Sequence, residues 1–283
     1  MIEWVKVKPN EIVVATEERA WLHQPTDASN DDPFAEPMCG AGNLATTRQL
    51  LDGVISAAQS ALPVLASRPN LTAARWAWRL AGYYHTTHAT PLLMSKAAER
   101  FAAIGKQELA GYANSKVEDE GGHDQLALRD LTALGYDAER LVANLIPPTA
   151  DALVTYFAEL VYADNPAGCV GYAYALERLA TTHDQNYLRQ VESVLPSTVN
   201  ATRCLRVHSS MSADAQHVED ALAVTARQSA EDRRLIALAC YHTTRICCSP
   251  PIGGHITESE LTNRLSAFVS KPMAALKSMK AAA

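Results

Sequence analysis

Two pairs of residues in this sequence have the types and the spacing of metal ligands. Glu120 and His123 lie three residues apart, as do Asp214 and His217. Residues at this spacing share one face of a helix, so each pair would direct a carboxylate and an imidazole toward one point. Helical bundles that bind iron use such pairs on facing helices. A solvated acidic turn is the alternative interpretation for Glu120 and His123.

The two residues between Glu120 and His123 are both glycines. Inside a helix, Gly121 and Gly122 would each cost roughly 1 kcal/mol relative to alanine. A solvated turn does not offset that cost, whereas close contact between helices or room for a ligand would. The glycines therefore favour a functional role for this stretch.

A third carboxylate, Glu177, follows an almost uncharged stretch that runs from Gly168 to Leu176. A carboxylate on such a largely buried helix is costly unless it is paired or binds a metal ion. The sequence leaves two interpretations open, which are a metal ligand and a salt bridge to Arg178 or another neighbour.

His208 does not fit a regular helix with the second pair. It lies six residues before Asp214 and nine before His217, so a regular helix would put the two histidines on opposite sides. His208 joins the same site only if the helix is broken or bulged between Ser209 and Ala213. Serines in this segment favour such a break because they form local hydrogen bonds with the backbone. A surface histidine is the alternative.

Other polar residues are candidates for substrate binding. His85 and His88 share a helix face with each other, and Tyr84 adjoins them. Arg206 lies close to His208 in the sequence and would suit a substrate carboxylate. Ordinary core or surface residues are the alternative in each case, such as a core histidine bonded to a backbone carbonyl.

Most of the chain has the apolar periodicity and the composition of helices. We predict an all-α helical bundle of seven or more helices in residues 46–250. An irregular N-terminal arm, with a short strand at Val13–Val14, precedes it in residues 1–45, and a C-terminal helix and tail follow in residues 251–283. The predicted helices of the bundle cover residues 45–66, 70–104, 106–134, 137–144, 148–163, 167–181, 183–195, 212–228 and 230–247.

Composition argues against several classes of protein. The chain has 283 residues, 48% hydrophobic content and a net charge of −6, which suits one or two domains with a substantial core. No basic patch indicates nucleic acid and no long apolar run indicates a membrane span, so we expect a cytoplasmic protein that binds a small molecule. The six cysteines are irregularly spaced and lack a CxxC motif, which favours free thiols over disulfides or a zinc site.

Together these motifs resemble the haem-oxygenase-like di-iron oxidases, a superfamily of iron-containing redox enzymes. The family pattern has an E-x2-H motif, a lone glutamate and a D-x2-H motif, which Glu120–His123, Glu177 and Asp214–His217 match. The stretch from Asp124 to Gly135 is also similar to the family. The likeness spans roughly residues 45–248 and extends more distantly to the TenA and PqqC enzymes.

The resemblance implies a haem-oxygenase-like fold, two Fe(II) ions and dioxygen as co-substrate, and it is compatible with a homodimer. It also implies a small amino-acid-derived substrate that undergoes N-oxygenation, oxidative C–C cleavage or nitrile formation in a biosynthetic pathway. The implied ligands of one iron are Glu120, His123 and Glu177, and those of the other are His208, Asp214 and His217. All of these except His208 are also the implied catalytic residues.

Two departures from the family pattern affect the metal site. His208 precedes Asp214 by six residues where the family has H-x3-D, so this segment is two residues longer. The family also has a carboxylate on its first core helix, but none occurs at residues 85–88. Either His85 or His88 replaces it, or the second iron has a weak site.

Two other functions stay open at this point. A metal-free enzyme of the same fold, like TenA or PqqC, would use the same polar residues to bind a substrate or a hydrolytic water. A non-catalytic helical interaction protein would have its histidines and carboxylates scattered over the outer surface. Convergence of these side chains in three dimensions would separate the last function from the other two.

Overall fold

A computed structural model describes residues 1–25, 32–61, 70–182, 185–208, 214–249 and 256–270, including every side chain except that of Asp214. These residues form three strands and twelve helices. The strands are β1 (Glu3–Lys8), β2 (Glu11–Ala15) and β3 (Ala20–His23). The helices are α1 (Leu44–Ser60), α2 (Ala73–Ala103), α3 (Gln107–Asp119), α4 (His123–Ala133), α5 (Ala138–Asn144), α6 (Pro148–Tyr162), α7 (Gly168–Ala180), α8 (Gln185–Ser193), α9 (Arg203–Val207), α10 (Asp214–Ala226), α11 (Ala230–Cys248) and α12 (Glu258–Ser266).

The three strands form one antiparallel sheet in the order β1-β2-β3. Val5 faces Val13 across β1 and β2, and alternation along β1 buries Val5 and Val7 where the sheet packs on α1. This sheet corrects the expectation of an irregular arm, although the predicted strand at Val13–Val14 lies within β2. The sequence does not reveal the whole sheet because the strands are short and because turn-forming residues at 25–42 dominate the composition of the arm.

Helix α7 lies in the interior of the bundle, where it packs against α6, α10 and α11. Its residues from Gly168 to Ala175 are all buried. Its contact with α11 is very close, since a β-carbon on Gly171 would lie 1.9 Å from the carbonyl oxygen of Ile236. Only glycine allows two backbones to approach in this way. The packing of α7 therefore fixes the position of Glu177, which lies near its C-terminal end.

Helix α2 has 31 residues and joins two hydrophobic clusters. Met94 and Phe101 belong to a cluster that includes residues of α1, α7 and α11. Trp76 and Leu80 belong to a second cluster with residues of α4, α5, α9 and α12. Because α2 also packs along α3 and α4, it positions the two helices whose ends form part of the candidate site.

The helical architecture agrees with the prediction, but the structure divides one of the predicted helices into two. The segment 106–134 folds as α3 and α4 with a turn at residues 120–122 between them, and α9 is additional to the predicted helices. The break expected between Ser209 and Ala213, and the tail beyond residue 270, lie outside the described residues. No helix in the described part of the chain has the length and apolar character that crossing a membrane requires.

Candidate metal centre

Five helices contribute to a group of largely buried histidines and glutamates. Glu120 caps the C-terminal end of α3, and His123 begins α4. Glu177 comes from α7, His208 follows the end of α9, and His217 lies in the first turn of α10. Helix packing thus brings together residues that lie far apart in the sequence.

A tight turn brings Glu120 and His123 together. Glu120 ends α3, Gly122 has a left-handed conformation with φ of 82°, and His123 begins α4. The two residues therefore do not share a helix face, and this part of the sequence prediction is wrong. Their side chains nevertheless meet, with Nδ1 of His123 2.9 Å from Oε2 of Glu120. Glycine adopts a positive φ without strain, which explains its presence at position 122.

One group of candidate ligands consists of Glu120, His123 and His208. A ligand atom from each residue lies within 4.8 Å of the others. The rings of His123 and His208 meet edge to face, with their centroids 4.8 Å apart. This arrangement needs His208 to lie off the helix of His217, and α9 does end at Val207 while α10 begins at Asp214.

A second group consists of Glu120, Glu177 and His217, whose ligand atoms also lie within 4.8 Å of one another. All three residues are buried, and Nδ1 of His217 lies 3.9 Å from Oε1 of Glu177. The grouping differs from the one that the resemblance implies, because His208 lies with His123 and Glu177 lies with His217. Glu120 belongs to both groups.

A lysine that the sequence motifs do not include lies beside the second group. Nζ of Lys116 donates a hydrogen bond of 2.6 Å to Oε1 of Glu177, and the lysine side chain is only 3% exposed. Lys116 is therefore a neighbour that pairs with Glu177, whereas Arg178 pairs with Asp52. A signal for Lys116 exists in the sequence, because it continues the apolar face of α3 four residues before Glu120.

The surroundings of Glu120 favour its ionised form. Burial alone would raise the pKa of its carboxyl group, but the hydrogen bond with His123 and the charges of His208 and Lys116 lower that pKa below its ordinary value. Burial raises the pKa of Tyr112 well above its ordinary value, and the nearby carboxylate of Glu177 adds to this effect. At neutral pH the site thus has an ionised carboxylate beside a neutral phenol.

Within the described residues, neither His85 nor His88 belongs to a ligand group. Nε2 of His85 lies 3.0 Å from the carbonyl oxygen of Leu145, and burial lowers the pKa of this histidine. Nδ1 of the exposed His88 lies 2.8 Å from Oδ2 of Asp124, and its ring stacks on that of Tyr84. These contacts give no support to either histidine as the replacement for a first-helix carboxylate.

Arg206 and Asp214 are two further predicted site residues. Arg206 is exposed and donates to Oε1 of Glu192 at 2.5 Å, so its charge already has a carboxylate partner. Asp214 is the first residue of α10, less than one turn before His217, and its side chain lies outside the described part of the chain. The roles of both residues stay predictions.

The donor atoms of both groups are carboxylate oxygens and imidazole nitrogens. This donor set suits Fe(II) or Mn(II), whereas thiolates would favour softer metals. No cysteine within the described residues belongs to either ligand group. The residues present therefore fit divalent iron.

The fold and the site together define a helical protein with a buried centre of histidines and carboxylates. Its structure is similar to a domain of unknown function with a heme oxygenase-like fold from Shewanella denitrificans, with a TM-score of 0.58, 18% identity, and coverage of 80% of this chain and 93% of that chain. A TenA homologue from Pseudomonas syringae pv. tomato has a TM-score of 0.49 and 14% identity, over 77% of this chain and 98% of that one. The Shewanella domain shows that the predicted haem-oxygenase-like fold is correct.

A family model described as iron-containing redox enzyme matches residues 77–247, which is more than half of the chain. The chain belongs to this family, which confirms the resemblance seen in its motifs. The matched segment contains every member of the two ligand groups. A search of curated proteins finds no match.

Proposed function

We propose that this protein is a non-haem di-iron oxidase or oxygenase that uses dioxygen to oxidise a small amino-acid-derived metabolite. The position of Glu120 carries this proposal, because this residue belongs to both groups of candidate ligands. Di-iron proteins built in helical bundles hold their ions with glutamates and histidines from facing helices. Membership of the iron-containing redox enzyme family supports iron over other divalent metals.

Each ion would have its own ligands in addition to Glu120. His123 and His208 would hold one ion, while Glu177 and His217 would hold the other. Asp214 is a further ligand that the sequence predicts for the ion beside His217. When bound, the iron supplies the reaction with dioxygen, which amino-acid side chains do not provide.

The chain prepares the site for cations in two ways. Nδ1 of His123 and Oε2 of Glu120 lie 2.9 Å apart, so a cation that both atoms bind would replace the proton between them. The burial of Glu177 and His217 excludes bulk water, so charges there interact more strongly than they would at the surface.

Anaerobic loading with Fe(II) tests the proposed metal centre. We expect the wild-type protein to retain iron after removal of unbound metal, and its absorbance to change when dioxygen is admitted. His123→Ala should lose iron measured by elemental analysis, because the substitution removes a ligand. His88→Ala is the matched control, since His88 is exposed and bonds to Asp124 instead. A wild-type protein that binds no iron would contradict the proposal and favour a metal-free enzyme like TenA or PqqC.

The amino-acid-derived substrate is proposed from the family resemblance and needs its own test. Iron-loaded protein would be incubated with dioxygen and a set of amino acids and analogues, and the products identified by mass spectrometry. We expect one compound to gain oxygen or lose carbon as dioxygen is consumed, and Glu120→Ala to abolish that turnover. If none of the set is changed while the protein binds iron, the substrate class is wrong and the metal centre is not affected.

A further inference from the structure

We propose that the ammonium group of Lys116 occupies the place of a cation at Glu177, so that a metal ion binds the group of Glu120, Glu177 and His217 only when Lys116 is displaced. The proposal rests on the proposed function, since it assumes that both groups bind metal. It predicts that the two groups differ in affinity and fill in order. The group of Glu120, His123 and His208 would fill before the other.

The contacts of Lys116 account for its charge inside the protein. A buried ammonium group is costly unless an anion compensates it. Lys116 is 2% exposed, and its Nζ bonds to Oε1 of Glu177 at 2.6 Å. The same Nζ lies 6.0 Å from the ring centroid of Tyr112, and its charge also lowers the pKa of Glu120. Lys116 therefore lies within the negative field that the two glutamates create.

The carboxylate oxygen that Lys116 binds faces another candidate ligand of the second group. Oε1 of Glu177 is also the atom that lies 3.9 Å from Nδ1 of His217, another residue of the second group. An ammonium group and a divalent ion repel each other strongly at such short range in a buried site. A metal ion at this oxygen would lie next to the ammonium group, so we expect the ion to bind only once the lysine has moved away.

Among the described residues, no lysine or arginine bonds to Glu120, the carboxylate that the other ligand group shares. There Glu120 bonds to the imidazole of His123, which is itself a metal ligand when neutral. A metal ion can therefore enter between Glu120, His123 and His208 without displacing a fixed positive charge from Glu120. This difference between the groups sets the order of filling.

Titration with Mn²⁺ tests the proposal, because free Mn²⁺ can be counted by electron paramagnetic resonance and needs no turnover. We expect the wild-type protein to bind one ion tightly and a second more weakly. Lys116→Met keeps the length of the side chain but removes its charge, and should tighten the second site by at least about tenfold. Lys116→Arg keeps the charge and should behave like the wild type.

Lys106→Met is a matched control because Lys106 also pairs with a buried carboxylate, that of Asp232, but one that belongs to neither ligand group. Its Mn²⁺ binding should equal that of the wild type. Two sites of equal affinity in the wild type, or an unchanged second site in Lys116→Met, would overturn the role of Lys116 while leaving the di-metal centre supported. The absence of Mn²⁺ and Fe(II) binding in all variants would instead overturn the proposed function, and this inference with it.

Crystals of the wild-type protein soaked in Mn²⁺ decide the question if Lys116→Met does not fold. Anomalous density at the second group with Lys116 swung away from Glu177 supports the proposal, as does density at the first group alone with the lysine in place. Density at the second group while Nζ of Lys116 still bonds to Glu177 overturns it.

Discussion

Among individual residues, the candidate metal centre would depend most on the carboxylate of Glu120. It is buried and yet held in its ionised form by His123, His208 and Lys116, so it can accept a cation without first losing a proton. It is also the only residue that the two ligand groups of the described chain share. Loss of this carboxylate would therefore affect both groups, whereas loss of a histidine would affect one.

Gly122→Ala tests whether the turn positions His123. At a φ of 82° an alanine is strained, and we expect a loss of about 1–2 kcal/mol in the free energy of unfolding. If the turn relaxes to relieve this strain, His123 moves away from Glu120, so metal binding should weaken as well. Urea unfolding and Mn²⁺ titration measure the two effects.

Gly111→Ala provides the control for this substitution. Gly111 lies within α3, where an added β-carbon meets nothing within 4 Å, so alanine should stabilise the protein by about 0.4–1 kcal/mol. Its metal affinity should not change. If Gly122→Ala also binds Mn²⁺ with the affinity of the wild type, the turn does not determine where His123 lies.

The sequence predicts which candidate metal ligands converge better than it predicts which residues lie next to them. Glu120 and His123 meet although they do not share a helix, because a spacing of three residues brings side chains close across a tight turn as well as along a helix. The period of α3 marks Lys116 as buried. It does not reveal the partner, since Glu177 lies 61 residues further along and on another helix.

At the level of elements, the crossing of α7 and α11 determines where Glu177 lies. The crossing depends on Gly171, whose absent side chain lets α7 approach the carbonyl oxygen of Ile236. Periodicity predicts both helices with nearly correct ends, because their apolar residues recur regularly. It does not predict which helices cross, since that depends on a contact between distant segments.

Gly171→Ala should separate these two helices. A β-carbon would lie 1.9 Å from the carbonyl oxygen of Ile236, a distance that forces backbone movement. We expect a loss of about 3 kcal/mol or more in the free energy of unfolding. In any folded fraction, metal binding at the second group should be weaker because Glu177 moves with α7.

The control for this substitution is Gly82→Ala in α2. There the nearest atom to an added β-carbon, on Ala150, lies at an ordinary contact distance of 3.8 Å. This variant should be as stable as the wild type or slightly more stable. Equal stability of the two variants in urea would show that the α7–α11 crossing tolerates a side chain, contrary to our expectation.

For the whole molecule, a buried ion pair attaches the N-terminal sheet to the helical bundle. Nε of Arg233 on α11 donates to Oε1 of Glu3 on β1 at 2.6 Å, and both side chains are only 1% exposed. Thr47 of α1 also donates to Glu3, at 3.3 Å. The partners of the ion pair are 230 residues apart in the sequence, so the pair links the sheet directly to α11. Patterning within short windows of sequence cannot reveal a contact at such a separation.

Arg233→Met tests whether this ion pair joins the sheet to the bundle. The substitution leaves the carboxylate of Glu3 buried without its cation, which costs about 3–5 kcal/mol when one partner of a buried pair is removed. The double variant Glu3→Leu, Arg233→Met removes both charges and should recover most of that loss, measured by urea unfolding. Recovery of stability in the double variant would identify the uncompensated charge as the cause of the loss. A merely additive effect of the two substitutions would mean that the residues do not act as a pair. Mn²⁺ binding should stay the same in the double variant, because neither residue belongs to a ligand group. A change in Mn²⁺ binding would mean that the sheet helps to position the metal centre.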